Sequence, residues 1–192
     1  MNIIEKQVKF NDSHGNEQKA IISFRDKLFL DIKAFNKENK PTGYMSLYFH
    51  SSNRLYLNVI YCYDEFRGLG IATAISNLAD YILRDYAGAV IRGAYEPGQL
   101  STDRENKIER SYKDLDARAR NFYAKAGYEI VKYEEYLENK EKYPYLNIED
   151  FCLGEDGPTT IVAKPIVTKK YSFSIDDVIC HTNCDKIKIK LM

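Results

Sequence analysis

Residues 54–84 read RLYLNVIYCYDEF, then RGLGIA from Arg67 to Ala72, then TAISNLADYILR to Arg84, and three patterns meet in them. Arg54–Tyr61 is a β-like run rich in aliphatic and aromatic residues. Gly68 and Gly70 follow it, two residues apart. Beyond them, apolar residues at Ile71, Ala74, Ile75, Leu78, Ala79, Ile82 and Leu83 keep one face of a helix apolar. A strand, a glycine-bearing turn and a helix in immediate succession suit the binding of an anion. The first N–H groups of the helix have no partner within it, and its dipole adds partial positive charge there. Glycine lets a phosphate approach the backbone with no Cβ in the way, and Arg67 adds a formal charge. A turn that needs glycine only for its shape would carry the same Gly-x-Gly. Two other phosphate motifs are excluded: no Lys-Ser or Lys-Thr follows the second glycine, and the third glycine of a dinucleotide fingerprint is replaced.

Toward the N-terminus the chain reads as an antiparallel meander. Ile3–Phe10 and Lys19–Phe24 flank the polar turn Ser13-His14-Gly15-Asn16, and Leu28–Phe35 and Gly43–His50 flank turn formers including Asn39 and Pro41. A further turn at Ser51-Ser52-Asn53 leads into Arg54–Tyr61. Toward the C-terminus, Ala89–Tyr95 reads as a strand, Glu96–Lys113 as a polar, turn-rich stretch, and Leu115–Ala126 as a helix that Gly127 stops. Strands follow at Tyr128–Tyr133 and Thr159–Val167.

Two blocks in this order resemble the GNAT superfamily of N-acyltransferases. Arg67-Gly68-Leu69-Gly70-Ile71-Ala72 fits the family's Arg/Gln-x-x-Gly-x-Gly/Ala signature. Asp116-Ala117-Arg118-Ala119-Arg120-Asn121-Phe122-Tyr123-Ala124-Lys125-Ala126-Gly127-Tyr128 is similar to its Asn-x-x-Ala-x-x-x-Tyr-x-x-x-Gly-Phe helix. The resemblance spans roughly residues 42–133. It implies an α/β fold: a mixed, mostly antiparallel, twisted sheet of six or seven strands flanked by helices. The stretch before Leu28 is too short and too strand-like for both of the family's usual N-terminal helices, which are therefore expected to be reduced or absent. It also implies acetyl-CoA as co-substrate. The amides of Arg67, Gly68, Leu69, Gly70, Ile71 and Ala72 would cradle its diphosphate, with Thr73 nearby, and the backbone of Ile60, Tyr61 and Cys62 would pair with its pantetheine arm. Asp116 stands where the family has asparagine, and is placed either on the cofactor or as a helix cap.

The implied activity is transfer of an acetyl group to a primary amine, on a small molecule or a protein, by direct attack in a ternary complex. Backbone N–H groups of the splayed strand can stabilise the oxyanion. Tyr123 occupies the family position beside the thioester sulfur and is the candidate acid. No equally good base emerges, because Leu55–Tyr61 carries no carboxylate; Glu96 is the nearest alternative, acting through water. The missing carboxylate keeps a second reading open, a non-catalytic acyl-CoA-binding or sensing module. The acidic, tyrosine-bearing segment Glu134–Gly157 is a candidate cover for the acceptor, or else a solvated excursion.

Composition narrows the rest. Lys+Arg and Asp+Glu both number 28, which removes charge as an argument for nucleic acid. The opening MNIIEKQVKF lacks the long apolar core of a signal peptide, and no run reaches the roughly 20 apolar residues of a membrane span, so a cytoplasmic protein is expected. Cys180-His181-x-x-Cys184 matches no common zinc spacing, and no metal is expected. One acyltransferase domain should cover residues 1–168. Residues 169–192 form an extension whose Ile-Lys alternation reads as an edge strand able to pair across a homodimer.

Overall fold

Alternation of side chains fixes the first half of the sheet. In the computed structural model, which describes residues 4–25, 28–51, 53–84, 88–95, 112–151, 160–167 and 179–180, five consecutive strands form the expected meander. They are β1 (Ile4–Asn11), β2 (Glu17–Arg25), β3 (Phe29–Asn36), β4 (Pro41–Ser51) and β5 (Arg54–Cys62). Ala20, Ile22 and Phe24 of β2 pair with Ala34, Ile32 and Leu30 of β3, and all six are buried on one face. Met45 and Leu47 of β4 extend that layer, and each fully buried aliphatic side chain contributes about 1.5–3 kcal/mol. A register slip would turn the whole set toward water. No helix separates β1 from β2; a turn at residues 12–16 joins them directly.

The remaining elements are α1 (Ile71–Ile82), β6 (Val90–Ala94), α2 (Tyr112–Lys125), β7 (Glu129–Val131), α3 (Tyr133–Glu138), β8 (Ile161–Pro165) and β9 (Ile179–Cys180). The strand order is β7-β8-β6-β5-β4-β3-β2-β1-β9. The architecture is thus the mixed, mostly antiparallel α/β sheet expected, with nine strands among the described residues rather than six or seven; of the pairs described, β5 and β6 are parallel and the others antiparallel. Residues 186–191, read as an edge strand, lie outside the described residues, while Ile179 and Cys180 pair with β1 at that edge.

The two faces differ. On the first, α1 lies against β3, β4 and β5, with Ile71, Ile75, Leu78 and Ala79 buried in the main core. Lys164 of β8, with 4% of its side chain exposed, ties both long helices down. Its ammonium reaches Asp80 at 2.7 Å and donates to Ser76 Oγ and to the Ala126 carbonyl, each at 3.1 Å. On the second face, α3 and the short 3-10 turns after it cover the β6–β8–β7 end. Tyr136, Tyr143, Leu146 and Phe151 form a smaller core there with Val90, Val131, Ile161 and Ala163. For residues 134–151 this overturns the solvated excursion, because the segment is a packed layer; residues 152–157 lie outside the described residues. Its aromatics turn inward, Glu134, Glu138 and Glu141 stay exposed, and Asp150 is buried between two arginines.

Candidate functional site

The site begins where two neighbouring strands part. β5 and β6 pair only at Arg54↔Val90, Leu55↔Ile91 and Tyr56↔Arg92, yet β5 runs on to Cys62 and β6 to Ala94. Two local features accompany the divergence. Between β4 and β5 the register moves from Leu47↔Leu57 to Ser46↔Val59, so Asn58 is the extra residue of a bulge, which adds twist. At Gly93 a Cβ would lie 2.8 Å from the Leu57 carbonyl oxygen, so the two backbones touch just before they separate. Beyond that point the β6-facing edge of β5 has no ladder partner among the described residues.

That free edge leads straight into the glycine turn. A short 3-10 turn at Asp64–Phe66 is followed by Gly68 (φ 83°) and Gly70 (φ 74°), left-handed conformations that L side chains rarely adopt. α1 starts at Ile71 with no side-chain cap. The Arg67 amide donates to the Asp64 carbonyl at 3.2 Å, but those of Gly68, Leu69 and Gly70 have no acceptor among the described residues. The first-turn amides of α1 point the same way by helix geometry. The Arg67 guanidinium is salt-bridged to Asp64.

Edge, turn and α2 enclose a cleft of about 490 Å³. Of the residues expected on the cofactor, Ile60, Tyr61, Cys62, Arg67, Gly68, Gly70, Ile71, Ala72 and Thr73 line it; Leu69 and Asp116 do not. The opposite wall was not foreseen: Leu115, Arg118, Asn121, Phe122 and Lys125, one face of α2. Their spacing of three, four and seven residues was a readable signal. Among the described residues, Arg118 and Lys125 have no ion-pair partner and no carboxylate lines the cleft. With Arg67 they give it three cations.

The other candidates fall differently. Asp116 sits in the second turn of α2 rather than at its cap, because the helix begins at Tyr112. Its carboxylate accepts from Arg120 Nε and Tyr95 Oη, both at 2.7 Å, and those two bonds, Arg120 first, hold its pKa below the usual value. Tyr123 is buried among the rings of Tyr95, Phe122 and Tyr128, beside the free end of β6 and off the cleft wall. Its hydroxyl has no hydrogen-bond partner among the described residues, and burial pushes its pKa up to about 12. The Cys62 thiol donates to the Thr42 and Phe66 carbonyls at 3.1 and 3.2 Å, and burial pushes it up to about 11, which keeps it protonated and unreactive. Glu96 lies outside the described residues. Among the described residues no group of three or more His, Cys, Asp or Glu could hold a metal ion, and no helix is long and apolar enough to cross a membrane.

The chain is similar to solved acetyltransferases. One is an acetyltransferase of the GNAT family from Staphylococcus aureus, at 14% identity and a TM-score of 0.46, covering 72% of this chain and 68% of that one. Another is the PaiA N-acetyltransferase from Thermoplasma acidophilum in complex with coenzyme A, at 17% identity and a TM-score of 0.43, covering 72% of this chain and 61% of that one. A nourseothricin acetyltransferase gives 14% identity and a TM-score of 0.46 over 85% of this chain and 87% of its own. No protein-family model matches the sequence, and no curated protein does. With TM-scores below 0.5, these likenesses carry no weight for the chemistry, which stands on the residues of the cleft.

Proposed function

We propose that this chain is an acyl-CoA-dependent N-acetyltransferase of the GNAT type, acting on a primary amine. One observation carries the reading: among the described residues, the edge of β5 that has no ladder partner is followed, after one short 3-10 turn, by a glycine turn whose amides have no acceptor. The first can pair with an extended amide-bearing arm as an added strand would, and the second can receive a diphosphate. Coenzyme A holds those two parts in that order.

In this reading the amides of residues 68–73 take the diphosphate, while Arg67, Arg118 and Lys125 supply opposing charge. The backbone of residues 60–62 pairs with the pantetheine arm, which sets the acetyl group at the mouth of the gap near the Asn58 bulge. The acceptor nitrogen, neutral when it attacks, bonds to the carbonyl carbon as the carbon–sulfur bond breaks. A strand N–H at the bulge stabilises the charge that develops on the carbonyl oxygen. Tyr123, protonated at neutral pH and packed on Phe122 of the cleft wall, donates to the leaving sulfur, and the amine proton passes through water, with Glu96 as the candidate base, to restore the tyrosine.

A sensing module that binds acyl-CoA without turnover is the second reading, favoured by the absence of any carboxylate on β5. Two measurements separate the outcomes. Calorimetric titration with CoA should show binding under either reading, and no binding would remove both. Thiol release from acetyl-CoA against a panel of amines should then appear for the enzyme and not for the sensor.

A further inference from the structure

The β1–β2 connection is a short turn built with unusual care. Gly15 N–H donates to the Asp12 carbonyl and Asp12 N–H to the Asn16 carbonyl, both at 3.0 Å. The Asp12 carboxylate is buried and accepts from the amides of His14 and Asn16 at 2.9 Å and from the side chains of Asn16 and Gln18. Gln18 Oε1 accepts from the Thr42 hydroxyl at 3.2 Å, and the Thr42 carbonyl accepts from the Cys62 thiol and the Tyr63 amide at 3.1 Å. A chain of buried polar groups thus seats the turn on the end of β5.

The same turn also touches the far side of the glycine loop. Ser13 N–H donates to the Leu69 carbonyl at 2.9 Å, and a Cβ on Gly70 would lie 3.3 Å from Ser13 Cβ. No described peptide bond is cis, and the carbonyl and the N–H of a trans peptide point in opposite directions. With the Leu69 oxygen held on Ser13, the Gly70 N–H of that peptide must point away from the hairpin, and Gly70 lines the cleft.

We infer that Ser13 is a positioning residue for the phosphate turn: its amide locks the Leu69–Gly70 peptide in the one orientation that offers the Gly70 N–H to an anion. This rests on reading the cleft as a coenzyme site. It also gives the turn between β1 and β2, in the region where the family's N-terminal helices were expected to be reduced or absent, a part in binding.

Ser13→Pro tests it. Ser13 is the second residue of the turn, where the fixed φ of proline is favoured, so the variant removes the donor and keeps the turn. Calorimetric dissociation constants are measured for CoA and for pantetheine, which has the same arm and no diphosphate. The CoA value should rise about tenfold, the size of one hydrogen bond to a charged group, while the pantetheine value holds. Equal losses for both ligands, or no loss, overturn the inference, as does a loss in Ser13→Ala as large as in Ser13→Pro, which would assign the effect to the hydroxyl. If Ser13→Pro fails to fold by circular dichroism, Gln18→Met cuts the link between Asp12 and Thr42 and should give the same selective loss at smaller size; an unselective one overturns it. A wild type that binds CoA no more tightly than pantetheine would instead sink the coenzyme reading, and this inference with it.

Discussion

The two ends of the β5–β6 pair are built on opposite principles. At the paired end, Arg54 comes from β5 and Arg92 from β6, and Asp150 Oδ1 lies 3.2 and 2.8 Å from their Nε atoms. The other oxygen of that carboxylate accepts from the Asn147 amide at 2.9 Å. One buried carboxylate therefore fastens the two strands from the second face. At the other end nothing of the kind exists among the described residues: the backbones touch at Gly93 and then separate, and the cleft beyond is lined mostly by apolar side chains, with the cations Arg67, Arg118 and Lys125 among them. Strand pairing is cheap to extend, so leaving half of a parallel pair unmade needs a device at each end, a clasp to stop the opening and a bulge to start it. The contrast places the candidate cleft where the described part of the sheet is left unpaired.

The clasp carries the largest effect. Asp150→Ala leaves two guanidiniums against an apolar layer and should cost about 3–5 kcal/mol in denaturant unfolding, because breaking a buried pair from one side strands a charge. A loss under about 1 kcal/mol would mean the strands are held by packing alone. At the open end, Tyr123→Phe should slow turnover by about a hundredfold with CoA affinity retained. The same variant has a pH signature. The folded-state pKa of Tyr123 is raised from 10.0 to about 12, so its stabilising contribution is complete below pH 10 and is lost as pH rises through 12. Relative to the variant, which has no titrating hydroxyl, the wild type should therefore lose melting temperature over that window, and a constant difference would mean the hydroxyl is not buried in solution.

The crotch between the ends can be tested with one methyl. Gly93→Ala puts a Cβ against the Leu57 carbonyl and should destabilise by about 1–3 kcal/mol, the usual cost of overpacking. It should also change CoA affinity, and an unaltered affinity would show that the gap does not depend on this contact. Smallest is the electrostatic effect. Arg118→Gln with Lys125→Gln should weaken CoA binding by about tenfold at low salt, with the difference narrowing as ionic strength rises and the melting temperature unmoved. A salt-independent difference would point to lost packing instead.

Legibility followed sequence distance. The meander was readable because residues such as Ala20, Ile22 and Phe24 alternate locally, and the glycine turn because strand, glycines and helix are contiguous. The cleft-facing stripe of α2 is present as a period in the sequence, but the motif resemblance of the same segment rests on other positions, Asp116 and Tyr123. Asp150 could not be read at all: it looks like one acid among many in an acidic segment, and its partners lie in strands far upstream. The docking of Ser13 on Leu69 was hidden for the same reason, a polar turn meeting a distant loop through main-chain atoms that no side-chain pattern encodes.

The insertion of β8 between β6 and β7 has a bearing on how the chain folds. The strands of the meander meet partners close by in the sequence, whereas β6 must wait for residues 161–165, made long after it. Contacts so separated close slowly. Until they close, one flank of β6 lies bare, with its hydrogen-bonding groups available to a strand from another molecule. Weakening the tardy half of the sheet should therefore show up first as poor yield or aggregation during synthesis, before any defect in the finished protein.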